Sequence, residues 1–180
     1  AYLRVRYQPI HGLQIELDCF AAAQDILVGA IQVTNQTDEK INIIAEMAAI
    51  LIPMNGGTPT RPLKVDRLHI ITGNTEDLHP VIIMTGGPHG TNNPLPALIN
   101  QITIEPQQSH QISWACVTKD TQKKSLKAAQ GILESPWRET AQNGIMANSS
   151  QHIQIKTGNP DWDAAFEINQ TQHPSQGSPF

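Results

Sequence analysis

The chain of 180 residues is long enough for one domain with a sizeable core, or one domain and an appendage. Its hydrophobic content is 39% with only 4% aromatic, so a core must be built from Ile, Leu, Val and Ala, and its 16% charged content leaves a surface of Gln, Asn and Thr. The net charge of −4 supplies no basic stripe for nucleic acid, the aliphatic content argues against disorder, and no apolar run reaches the roughly 20 residues of a membrane helix.

Ala1 to Tyr7 alternates at once like a strand and contains no signal-peptide apolar core. Leu13 to Phe20 alternates with a period of two, and Asp25 to Asn35 reads as another strand. Asn35 to Lys40 has turn chemistry. Lys40 to Pro53 mixes a helix-favouring Ala-Glu-Met-Ala-Ala centre with alternating Ile41, Ile43 and Ala45. It is expected to be a long strand, antiparallel to the one before it. Pro53 to Pro62 reads as a loop, and Lys64 to Ile71 and Leu78 to Met84 as strands. Thr85 to Pro94 reads as a second irregular loop. Ala97 to Glu105 and Ser109 to Val117 then suggest a hairpin across Pro106-Gln-Gln, with Ile112, Trp114 and Cys116 on one side.

Beyond Val117 the period changes. Asp120 is the expected helix cap, and Leu126, Ala129, Ile132 and Leu133 recur at helical spacing. Ser135 and Pro136 start a second helix that frays at Asn143-Gly144. His152 to Lys156 reads as a short strand, and Asn159 or Asp161 as the cap of a final helix. Seven or eight strands followed by helices predict a mainly β chain, an antiparallel β-sandwich with C-terminal helices.

Candidate chemistry is sparse. Asp161 and Asp163 suit a helix start, where they meet its positive end, better than a catalytic pair. His11, His69, His79, His89, His110, His152 and His173 form no pair at metal-ligand spacing. Cys19 and Cys116 lie far apart in strand-like runs and read as buried free thiols. Gly86-Gly-Pro-His-Gly90 lacks the ending of a phosphate cradle and reads as a flexible loop at one end of the sandwich. Trp114, Trp137 and Trp162 are expected in core or interface positions. No metal or cofactor is implied.

Trp162 and Phe166 share one face of the final helix, which needs a surface to lie against. Together with Trp137 they are the candidate domain-interface residues. The segment Ile153, Ile155, Thr157, Gly158, Asn159, Pro160, Trp162 and Asp163, with the helical stretch before it, resembles the junction of sandwich, linker and barrel in bacterial glycoside hydrolases and phosphorylases with an (α/α)6 barrel. Glycogen-debranching-like and glucoamylase-like enzymes are the nearest group. Val33-Thr-Asn and Leu51-Ile-Pro fit it only generically, and Asn159 replaces the more usual Asp, a change a helix cap tolerates.

The resemblance implies a sandwich over 1–118 and a helical linker over 119–180, with a short strand at 151–156 and the start of a helix leading to an absent catalytic domain. It implies a non-catalytic domain of a carbohydrate-active hydrolase, because the paired carboxylates of glycoside hydrolysis would lie in the barrel. Its partner would be that catalytic domain of the same polypeptide, with possible glycan contact. A free-standing carbohydrate-binding or adhesion sandwich is the alternative. The compartment is left open, the missing signal core and few cysteines favouring the cytoplasm.

Overall fold

The computed structural model describes residues 2–53, 56–149 and Trp162. Two compact units divide the chain, Tyr2–Trp137, and Arg138–Phe180 with Ala1. The described residues form ten strands and two helices. The strands are β1 (Tyr2–Ile10), β2 (Leu13–Ala23), β3 (Ile26–Asn35), β4 (Ile41–Ala48), β5 (Thr58–Val65), β6 (Leu68–Asn74), β7 (His79–Met84), β8 (His89–Thr91), β9 (Ala97–Ile104) and β10 (Ser109–Lys119). The helices are α1 (Gln122–Glu134) and α2 (Trp137–Ser149).

The strands build an antiparallel sandwich of two unequal sheets. The large sheet has the order β1-β2-β3-β10-β7-β6-β5, and the small sheet the order β4-β9-β8. Side chains alternate across each strand, so the large sheet has two chemically distinct faces. One face carries Ile31, Val33, Ile71, Met84 and Ile112, which meet Leu98, Ile102 and Ile104 of the small sheet in an inter-sheet core. The other carries Val28, Ala30, Val81, Ile83, Ala115 and Val117, which α1 covers with Leu126, Ala129, Ile132 and Leu133. The helical spacing of those four residues thus marks the face that packs. Ser125 is fully buried beneath α1. Its Oγ donates to the His79 carbonyl at 2.5 Å and accepts from Lys119 N at 2.8 Å, fixing the helix to two strands.

Two expected pairings differ from the observed ones. β4 is a strand, but it pairs with β9 in the small sheet and not with β3, whose partners are β2 and β10. β9 and β10 are likewise not a hairpin, since they lie in different sheets. The turn at 105–108 and the turn at 36–40 are both sheet-to-sheet crossovers. Asn35, fully buried, holds them together. Its Nδ2 donates to the carbonyls of Glu39 at 2.7 Å, Ile104 at 3.1 Å and Glu105 at 3.2 Å, and its Oδ1 accepts from Thr37 N and Oγ1. Gln107, at φ 58°, adds bonds from Nε2 to the carbonyls of Gln36 and Thr37.

Four smaller expectations are corrected. The stretch read as a loop up to Pro62 contains β5, an edge strand, where the missing N–H groups of Pro59 and Pro62 are tolerated. Asp66, at φ 53°, turns the chain between β5 and β6, which splits the single strand expected there. The cap of α1 is Thr121, not Asp120: Thr121 has extended dihedrals and its side chain accepts from Lys124 N, while Asp120 pairs with Lys124 Nζ at 2.6 Å. Ser135, expected to open the second helix, closes the first, and α2 starts at Trp137 and continues past Gly144.

Candidate functional site

Trp137 is 5% exposed and lies in the core beneath α1, beside Val117 and Ala129. Trp162 is helical and 61% exposed. Phe166, Asn159, Asp161, Asp163 and the strand expected at 151–156 lie outside the described residues. Trp114 is half-buried against the inter-sheet core, on the same side as Ile112. Its indole lies against Gly29: a Cβ there would sit 2.6 Å from the ring and 2.6 Å from the Asp18 carbonyl.

The Gly86 to Gly90 segment is not a free loop. Gly86 and Gly87 adopt φ of 92° and 69°, and the chain then enters β8 at His89. A side chain at Gly86 would strike Asn100, whose Nδ2 donates to the Thr85 carbonyl at 2.8 Å. Gly90 N donates to His69 Nδ1 at 3.3 Å. Glycine here permits both the left-handed turn and the close approach of β9.

No group of three metal-ligating side chains occurs among the described residues. Cys19 and Cys116 are free, and burial pushes both thiols up from their ordinary range, which makes them weak nucleophiles at neutral pH. Asp18, 2% exposed, is held by Arg4 Nε at 2.7 Å and by the Tyr2 hydroxyl at 2.5 Å, and Glu16 is paired with Arg6. The bond to Asp18 is the main cause that raises the Arg4 guanidinium pKa. Burial, followed by the same carboxylate, raises that of Tyr2. These carboxylates are committed to ion pairs, a poor state for acid–base work.

The more informative feature is a face. In β1, Arg4 and Arg6 point to the helix side, opposite Asp18 and Glu16. Leu3, Val5 and Tyr7 point to the other side, which is the side the small sheet covers further along. They are 55%, 38% and 50% exposed. The small sheet has too few strands to reach them. Among the described residues, the seven-stranded layer is thus left partly bare on its apolar side.

The fold defines the class: an antiparallel β-sandwich closed by α1. No family model and no curated protein sequence matches the chain. Among solved structures it is similar to a polysaccharide lyase, with 14% identity and a TM-score of 0.50, over 68% of this chain and 22% of that one. It is also similar to a protein described as a putative kojibiose phosphorylase from the human microbiome, with 10% identity and a TM-score of 0.45, over 95% of this chain and 22% of that one. At such identities the likeness to the lyase shows a shared fold. The chain spans about a fifth of the length of either protein.

Proposed function

We propose that this chain is the non-catalytic sandwich domain of a carbohydrate-active enzyme, which packs against a catalytic (α/α)6 barrel and shapes one rim of its cleft. The observation that carries the reading is the half-covered large sheet, an apolar surface suited to lying against another domain. Three facts support it. The fold is one that a polysaccharide lyase uses for 22% of its length. The carboxylates of Asp18 and Glu16 are neutralised by Arg4 and Arg6. Trp162 is largely exposed, in a segment whose sequence resembles the opening of a barrel.

The test is catalytic. The 180-residue chain and the longer product of its gene are assayed on α-glucans and on glucose disaccharides, with and without phosphate. The longer product is expected to cleave one of them and the chain alone none. Cleavage by the chain alone, or a longer product with no glycosidic activity, overturns the reading.

A further inference from the structure

The bare region of the large sheet has a definite chemistry. Cross-strand rows run from β1 into the sandwich: Leu3, Cys19, Gly29 and Trp114 form one, and Val5, Leu17, Ile31 and Ile112 the next. No charged side chain stands in either row, whereas the alternate rows on the opposite face hold Arg4, Arg6, Glu16 and Asp18. The inner ends, Ile31, Ile112 and Trp114, belong to the inter-sheet core. The outer ends are Leu3, Val5, Tyr7, Leu17, Cys19 and Leu27, all exposed or half-buried. The patch is therefore the sandwich interior continued past the last strand of the small sheet.

Given the accessory-domain reading, on which this step rests, we infer that this face of β1, β2 and β3 is the seat of the catalytic domain, which takes over where the small sheet stops. The argument is continuity with the interface already formed between the two sheets. An occupant must exclude water along the same seam, and an uncharged surface of this kind resembles a core cut in half, the mark of permanent and not transient contact. A domain on the same polypeptide meets that requirement at any concentration. A second copy of the chain would bring two bodies of net charge −4 together with no charged group on the face to offset the repulsion.

The experiment expresses the 180-residue chain apart from the remainder of its gene product and measures their association by calorimetry. Val5→Glu and Leu17→Glu are each expected to weaken it at least tenfold, and Arg6→Ala, on the opposite face, by less than twofold. Unchanged affinity in both glutamate variants overturns the assignment of the face. Failure of the unaltered chain to associate at all overturns the accessory-domain reading as well. Should a glutamate variant not fold, amide hydrogen exchange on the unaltered complex decides: new protection in β1, β2 and β3 supports the inference, and protection confined to other strands overturns it. Light scattering on the chain alone is expected to show a monomer. A dimer that Val5→Glu dissociates gives the face to a second copy and overturns the inference.

Discussion

Asn35 concentrates the logic of the fold in one amide. It ends β3, where the chain leaves the large sheet, and it reaches the end of β9, where the chain is about to return. An Asn offers two donors and an acceptor at one site, and this one uses them on three carbonyls and on Thr37. Asn35→Ala removes every one of those bonds; the Glu39 carbonyl keeps Thr37 Oγ1, while the buried Ile104 carbonyl and the part-buried Glu105 carbonyl lose this donor, and a buried group left unsatisfied costs about 1–3 kcal/mol. A loss of about 3 kcal/mol in chemical unfolding is expected, enough to threaten a domain whose total stability is roughly 5–15 kcal/mol. Asn35→Asp is expected to be at least as damaging, because a carboxylate turned toward three carbonyls repels them. Equal midpoints for Asn35→Ala and the parent would remove the amide from this role. The string Val33-Thr-Asn is visible in the sequence, but nothing local says that its amide bridges residues 69 and 70 positions away. Trp137 and Trp162 pose the same difficulty. Both begin or follow polar segments, yet one is buried and the other exposed, because tertiary packing decides which indole finds a core.

At the scale of elements, the strands are legible and their partners are not. Period-two alternation reports which face of a strand is apolar, and it marks β2, β3, β9 and β10 correctly. It carries no information on whether a short polar turn returns the chain to the same sheet or sends it to another. A hairpin and a crossover of four or five residues share the same turn residues, so β4 and β9 are assigned to the wrong neighbours from sequence alone. Ion pairs that join elements are equally hidden. Asp25, in the turn between β2 and β3, pairs with Lys119 at the end of β10, and its carbonyl accepts from Thr118 N at 3.0 Å. The hydrogen bond from Lys119 holds the Asp25 carboxyl below its ordinary value of 3.8. A lowered folded-state pKa contributes stability above the unfolded value, which is lost as pH falls through the folded one. Lys119→Met should therefore move the Asp25 carboxyl titration, followed by NMR, upward toward 3.8. It should also lower the melting temperature at pH 7 slightly, the pair being solvent-screened, with the difference vanishing as pH falls through the lowered folded-state pKa. A titration midpoint unmoved by the substitution would deny the pairing.

For the whole molecule, the question is where the sandwich ends. The change of period after Val117 suggests a boundary near residue 118, and strand count alone would allow the two sheets to stand without the helices. The packing places α1 and Trp137 inside the same compact unit as the strands. On the helix side the large sheet presents Val28, Ala30, Ala115 and Val117, each fully buried. Their cover consists of Leu126, Ala129, Ile132, Leu133 and Trp137. Burial of a large aliphatic or aromatic side chain contributes about 1.5–3 kcal/mol, so the four larger groups supply roughly 6–12 kcal/mol as an upper bound. That is comparable to the whole net stability of a domain of this size. The Ser125 bonds to His79 and Lys119 vanish with the helix as well. A chain ended after Lys119 is thus expected to be insoluble or to bind a hydrophobic dye without a cooperative melt, whereas a chain ended after Ser149 should unfold in one sharp transition. The comparison isolates α1 and the start of α2 as part of the fold, since both chains contain all ten strands. A cooperative melt from the shorter chain, within about 3 °C of the longer one, would mean that the strands close their core unaided and that the helix is an ornament on the sheet.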